Sequence, residues 1–292
     1  MKKLTLVTHD GTFHTDDVFA CATLSMYFQG HDIEIVRSRD ERDITRGDIV
    51  FDVGGVYDPS NGRFDHHQQG GAGARDNGIP YASFGLVWKE YGHVVAGSVE
   101  NAQFIDEQLV QCIDAHDNGV NIGETSVRVY AVGDVISAFR PTWQEKRPLL
   151  DAFLDAVQLA QAILGRMIAH AQSFQASQHF VEQAYQNAVD KRIIELDIEY
   201  PGWNEILQKY DEPLYVIYER SNGGWSAKGV RKHSEGFEIR KAFPEAWAGL
   251  RDREFASVSG VPDAIFCHNN RFMVAARTRD GALALAKSAV EL

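Results

Sequence analysis

Four short stretches of the chain concentrate carboxylates and imidazoles: His9-Asp10-Gly11-Thr12-Phe13-His14-Thr15-Asp16-Asp17, Phe51-Asp52-Val53-Gly54-Gly55, Asp65-His66-His67 and Ile113-Asp114-Ala115-His116-Asp117-Asn118-Gly119. An oxygen-rich set with a few imidazole nitrogens suits a divalent cation of the Mn²⁺ kind, with Mg²⁺ as the alternative. None of the four contains cysteine, which argues against structural zinc. Two such cations ~3.5–4 Å apart can share a bridging carboxylate and a bridging water, whose pKa falls, while both offset charge on phosphoryl oxygens. Asp52 is the candidate bridge. Each stretch alone has a plainer reading. A strand-end His9 can bond a backbone carbonyl, Asp16 and Asp17 suit the first turn of a helix, and Gly119 suits a helix end. Those readings taken one by one do not explain why separate element ends all carry Asp and His.

The elements that must position these groups are legible in the hydrophobic pattern. Residues 4–8 read as a buried strand delivering His9, residues 33–37 as a second, and residues 48–51 as a third delivering Asp52. Residues 17–28, 82–91 and 103–115 are helical in pattern. Strands alternating with helices predict an α/β domain around a mostly parallel sheet, where ligands gather at the carboxyl ends of the strands. A helix-rich connector follows, placed over about 144–190 with its helical pattern trailing on to about 196, and short strands are expected over 214–218, 264–267 and 272–275, closed by a helix over 281–290. The predicted organisation is therefore a metal-binding domain of residues 1–190, connector included, and a smaller α/β domain of residues 191–292 that holds substrate.

With 44% hydrophobic and 24% charged residues, the 292-residue chain can bury a sizeable core. Cys21, Cys112 and Cys267 are far apart and odd in number, so neither a disulfide framework nor a zinc knuckle is expected, and a reduced cytoplasmic setting is the economical reading. The apolar run after the basic start is too short for a secretory signal, and no stretch is expected to approach the ~20 apolar residues of a membrane span. The net charge of −12 is uneven: residues 1–140 carry −10, whereas residues 220–292 carry +4, so a phosphate-rich polymer is drawn to the C-terminal end.

Asp65-His66-His67 is the triplet that marks the DHH phosphoesterases, and the longer strings at 8–17, 51–55, 63–68 and 114–119 resemble the melanocyte-proliferating-gene family. The resemblance continues through Ser259-Gly-Val-Pro-Asp-Ala-Ile-Phe-Cys-His268 and covers nearly the whole chain. That family has been described as metal-dependent protein hydrolases and as 3′–5′ RNA exonucleases. The resemblance implies His9, His14, Asp16, Asp52, His66 and Asp114 as metal ligands. It implies Asp52 as the bridge, His67 as a group facing the substrate phosphate, and Asp65 as the carboxylate orienting the histidine pair. Most DHH enzymes have Asp where His14 stands, which implies an altered metal preference. His116 and Asp117 are lesser candidates for substrate contact.

In the second domain, the amides of Gly223 and Gly224 are candidates for a phosphate and Trp225 for a stacking face, with Lys228 and Arg231 neutralising phosphates. No Gly-Gly-Gly-His loop of the DHH kind occurs there, and His268 is the candidate substitute. The expected function is a metal-dependent phosphodiester hydrolase, a 3′–5′ exonuclease on short single-stranded RNA, with two divalent cations and a bridging hydroxide. The alternatives are a pyrophosphatase or small-nucleotide phosphoesterase, and a non-catalytic metal- or nucleotide-binding protein. Oligonucleotide is the expected partner; no membrane is, and self-association is left open. Nothing in the residues supports protein hydrolysis, since neither a nucleophile motif nor an HExxH helix is present.

Overall fold

The computed structural model describes residues 3–120, 123, 126–233 and 236–292, and its contacts divide the chain into two compact units, Met1–Gln172 and Ser173–Leu292. The division falls inside one long helix, whereas the sequence places the domain boundary at 190.

In the first unit, β1 (Leu4–Thr8), α1 (Thr15–Tyr27), β2 (Ile33–Arg37), α2 (Glu41–Arg46) and β3 (Ile49–Phe51) follow in order, then the short β4 (Tyr57–Asp58) and β5 (Arg63–Phe64). The sheet order is β2-β1-β3-β5-β4, parallel except for β4. The apolar runs of β1 and β3 belong to strands covered on both faces, the usual condition of a parallel sheet. From β1 the chain goes first to β2 on one side and then to β3 on the other. The strand order therefore switches at β1, and the carboxyl ends of β1, β3 and β5 share one edge.

The helices α3 (Ser83–Val95), α4 (Val99–Ile105), α5 (Gln111–Asp117) and α6 (Val132–Ser137) complete the layer. The single helix expected over 103–115 is instead interrupted by a π-helical turn at Asp106–Val110. The one-residue insertion of such a turn rotates the helix beyond it, and here that helix is α5, which carries Asp114 and His116. Helix α1 is buried almost throughout, from Asp16 to Leu24, and packs on α3; Phe19 meets Phe84 at a ring separation of 5.3 Å.

Helix α7 (Leu149–Asn187) holds an 18-residue window with a mean hydropathy of 1.3, so by length and composition it could cross a membrane. This corrects the expectation that no stretch came near that threshold. Polar Gln and His spaced among Ala, Ile and Leu hide the run from a search for unbroken apolar residues. A core helix passes the same test, and Ala152, Phe153, Ala156, Val157, Ala160 and Leu164 are buried in the core of the first unit.

The second unit contains β6 (Ile193–Ile198), α8 (Trp203–Leu207), β7 (Tyr215–Glu219), β8 (Trp225–Gly229), α9 (Asp252–Ser259), β9 (Ala264–Cys267), β10 (Met273–Ala276) and α10 (Arg279–Glu291). Its sheet order is β6-β7-β8-β10-β9, with only β6 and β7 parallel. Strand alternation divides its core. Ile193, Tyr215, Ile217 and Ala227 face the cluster that includes Leu285 of α10, while Ile194, Leu196, Val216 and Tyr218 face Ile206 and Leu207 of α8. Residues 193–196, expected at the tail of the helical connector, form a strand because Ile-Ile-x-Leu pairs with β7. Trp225, expected in a phosphate-binding loop, opens β8. The expectation of helix at 193–196 rested on local pattern, which tertiary pairing overrode.

Candidate metal centre

The loop after β1 is held by two arginines. Arg37 of β2 donates to the Gly11 carbonyl at 3.0 Å, and Arg140 donates to the Phe13 carbonyl at 2.9 Å. On either side of these anchors, His9 is 3% exposed and His14 lies open at the start of α1. Asp17 caps that helix, accepting from the His14 amide at 2.7 Å. After β3, Asp52 sits at φ 56°, a left-handed conformation that costs a non-glycine residue and turns its buried carboxylate toward the switch point. The φ of 98° at Gly54 and 66° at Gly55 completes the turn, and the Gly55 amide donates to Asp65 at 2.6 Å.

Asp65 does not join the cluster through a free oxygen. Its carboxylate also accepts from the amides of His66 and His67, at 2.7 and 3.1 Å, and stands 2.7 Å from His67 Nδ1. It fixes both rings by folding the triplet around itself.

The N-terminus of α3 supplies the remaining order. The amides of Ser83 and Phe84 donate to the two oxygens of Asp16, at 3.0 and 2.6 Å, and the Gly85 amide donates to Asp114 at 3.0 Å. Three otherwise unsatisfied helix donors thus hold two buried carboxylates, with the helix dipole favouring their charge. Gly85 is required there, because a Cβ would lie 1.9 Å from Asp114 Oδ2.

Among the described residues three sets place one ligand atom each within 4.8 Å of one another: His9, His14 and Asp52; Asp52, His66 and His67; and Asp16, His66 and Asp117. Asp52 belongs to two sets and His66 to two. Seven of the sequence candidates (His9, His14, Asp16, Asp52, His66, His67 and Asp117) are brought together. Asp117, expected only as a lesser candidate for substrate contact, has its Oδ2 3.3 Å from His66 Nε2. Asp114 lies outside these sets: Arg75 donates to its Oδ2 at 2.7 Å and also grips Asp106. His116 is exposed, beside Gly133.

Asp17 and Arg75 were not among the sequence candidates. Asp17 stood in plain view inside the first stretch, and helix capping explained it too readily. Nothing in the local pattern around Arg75 ties it to Asp114, 39 residues away. Ser83, whose Oγ donates to Asp52 at 3.4 Å, was equally silent.

The electrostatics are those of a site built for positive charge. Burial, followed by the charges of Asp52, Asp117 and Asp114, pushes Asp16 well above the usual carboxylate range. Burial likewise raises Asp17, and it lifts Asp114 to about 7 against the pull of Arg75. Burial works against a charged ring at His9 and His66, yet the carboxylates outweigh it. Asp17 and Asp52 raise His9 to about 10, and Asp117 and Asp52 raise His66 to about 11. Against the cost of its own burial, those two histidines hold Asp52 well below the usual range. In the protein alone, protons do the neutralising that a cation does better. His9 Nε2 and Asp17 Oδ2 are buried 3.2 Å apart and His66 Nε2 stands 3.3 Å from Asp117 Oδ2, ion-pair contacts that leave all three atoms without a well-formed hydrogen bond among the described residues. Buried polar atoms are rarely left so, and here they fit metal ligation.

The substrate candidates of the second unit do not converge. Lys228 and Arg231 line one cavity, whereas Trp225 lines a different one with Arg279. Trp225 and Lys228 stand three residues apart on β8 and therefore face opposite sides of the sheet. Gly223 and Gly224 form the β7–β8 turn, and His268 turns its ring onto Phe272 at 4.3 Å, beyond the far end of β8.

A family model for MYG1 exonucleases, described as an uncharacterised protein family (UPF0160), matches residues 5–290. The human MYG1 exonuclease is 34% identical over 96% of this chain and 84% of its own length. This chain belongs to the MYG1 exonuclease family. The Dictyostelium discoideum MYG1 protein is 32% identical over 98% of the chain and 96% of its own, and the Chlamydia pneumoniae protein 31% over 91% and 89%. A crystal structure of RecJ in complex with Mn²⁺ from Thermus thermophilus is 11% identical and aligns with 99% of this chain and 52% of its own, at a TM-score of 0.30. The MYG1 family name and this array of ligands agree on one class of activity, metal-dependent hydrolysis of phosphodiesters.

Proposed function

We propose that the chain is a 3′–5′ exonuclease acting on short single-stranded RNA with two divalent cations, Mn²⁺ before Mg²⁺. The observation that carries the reading is the sharing of Asp52 and His66 among three ligand sets, with buried nitrogens on His9 and His66 that face carboxylates without a well-formed hydrogen bond. A shared carboxylate is what a pair of cations requires. His9, His14, Asp16, Asp52, His66 and Asp117 would hold the pair. When bound, the cations would supply a water of lowered pKa and offset charge on the phosphoryl oxygens.

The chain's own groups do the rest. Asp65 holds His67 by its Nδ1 side, and His67 remains 61% exposed, so its ring is available to a phosphate oxygen. The carboxylate raises the basicity of that ring and favours its protonated, phosphate-binding form near neutrality. Arg37, Arg140 and the α3 amides fix the loops, so little rearrangement accompanies substrate binding. The human relative is named an exonuclease, which favours a polymer over pyrophosphate as substrate.

The test is incubation of the chain with 5′-labelled short RNA, the equivalent DNA and pyrophosphate, each with Mn²⁺ and with EDTA. A Mn²⁺-dependent ladder that shortens from the 3′ end of RNA is expected. Phosphate release from pyrophosphate without cleavage of either polymer would overturn the exonuclease reading and leave a phosphoanhydride hydrolase.

A further inference from the structure

The second unit contains a cavity of about 860 Å³ lined by Tyr200, Trp203, Asn204, Arg231, Phe237 and Phe272, among others. All of its lining lies within Ser173–Leu292, and none of it is a ligand of the metal centre. Its size is that of a small-molecule site. Three features tell what it would take.

Asn204 lines the cavity and is 7% exposed. Its Oδ1 accepts the Arg231 amide at 2.8 Å, which settles which end of the side chain is oxygen. The Nδ2 amide is buried and has no partner among the described residues. A buried NH₂ without an acceptor is costly, and it calls for a ligand that brings a carbonyl oxygen or ring nitrogen. Aromatic rings form much of the remaining wall, and Phe237, 89% exposed, leaves a ring face open to stack on a flat ligand. Finally, the Arg231 guanidinium lies 5.7 Å from the Phe237 ring centre and pairs with no carboxylate among the described residues. Lys228 differs: it is already paired with Glu199 at 2.5 Å. A planar, anion-seeking fork beside a stacking face is a phosphate group's complement.

We infer that this cavity binds a nucleotide, its base among the aromatic rings accepting from Asn204 Nδ2 and its phosphate on Arg231. An aromatic, acceptor-bearing ring joined to an anion meets all three features at once; inorganic phosphate, a sugar phosphate or an uncharged nucleoside each leaves at least one unmet. The inference rests on the nucleic-acid reading above for why a nucleotide would be present. The cavity itself does not require the metal centre.

The test is calorimetric titration of the full chain in EDTA with AMP, CMP, adenosine, ribose 5-phosphate and inorganic phosphate. Nucleoside monophosphates should bind about tenfold or more tightly than ribose 5-phosphate, as expected where a buried donor is left unpaired by the lesser ligand. Asn204→Asp keeps an oxygen facing the Arg231 amide but replaces the donor with a charged acceptor, so it should weaken AMP binding by about tenfold and weaken adenosine as well, which carries no phosphate for that charge to repel. Phe237→Ala, at an exposed ring whose loss does not threaten the core, should weaken it severalfold. Equal binding of AMP and ribose 5-phosphate would overturn the inference, as would a folded Asn204→Asp and Phe237→Ala that both bind like the parent. Nucleotide binding lost in these variants while RNA is not hydrolysed by the parent would sustain the cavity and sink the nuclease reading. Hydrolysis without any nucleotide binding in EDTA would do the reverse.

Discussion

The two units put a carboxylate at a helix start to different ends. In the second, the half-buried Asp263 packs against the start of α10, and its Oδ2 accepts from the Thr278 amide and hydroxyl at 2.9 and 2.6 Å. In the first, α3 performs the same service for Asp16 and Asp114, yet close by His9, Asp17 and His66 crowd buried charges together without well-formed hydrogen bonds and Asp52 sits at positive φ. The same device, a carboxylate at a helix start, is structural in one place and part of a charged centre in the other. What distinguishes them is the company of further acids: Asp16 faces Asp52, Asp117 and Asp114, whereas Asp263 faces hydrogen-bond donors. A fold tolerates such repulsion and strain where a ligand relieves them.

The sharpest break of this comparison is Asp52→Asn. Asparagine accepts positive φ and nearly the same shape, so the fold should persist while Mn²⁺-dependent RNA hydrolysis falls by roughly a thousandfold or more, the scale of losing a central charge in a metal site. Parental activity in a folded Asp52→Asn chain would remove the metal centre from the mechanism.

Next comes His67→Gln, expected to lower kcat by about a hundredfold with Mn²⁺ affinity little changed, since its ring is exposed and held by Asp65. Steady-state kinetics beside a Mn²⁺ titration separates the two, and a comparable loss of Mn²⁺ binding would make His67 a ligand instead.

A paired substitution tests the parallel helix starts. A Cβ at Gly85 would meet Asp114 at 1.9 Å, and one at Gly281 would meet Asp263 at 2.2 Å. Each alanine should destabilise by about 1–3 kcal/mol in denaturant melts. Only Gly85→Ala should also weaken Mn²⁺ binding; equal effects on the metal would show that the units do not divide the work in this way.

The smallest effect is on pH. The pKa values of His9 and His66 rise from the ordinary 6.5 to about 10 and about 11, so their stabilising contribution in the metal-free chain is full below 6.5 and lost as pH climbs through that upper range. Cations must displace those protons. Calorimetry in buffers of different ionisation heat at pH 7 should therefore show release of about one to two protons on Mn²⁺ binding, and none would contradict the charge arrangement.

The α/β class of the first unit was legible in the sequence, because parallel strands covered on both faces read as apolar runs, and His9 and Asp52 follow directly on two of them. The type of chemistry was legible too, since Asp and His at several element ends have a joint meaning that none has singly. The allotment of roles among neighbouring acids came from tertiary contacts. Asp114 and Asp117 differ by three residues on one helix, yet only the first meets Arg75 and the α3 amides, both brought from distant chain, and only the second reaches His66. The same holds in the second unit, where Trp225 and Lys228 look like one patch in sequence and the pleat of β8 sends them to opposite faces. Spacing along a chain states which side chains are available, and the directions in which they point depend on pairings made by residues far away.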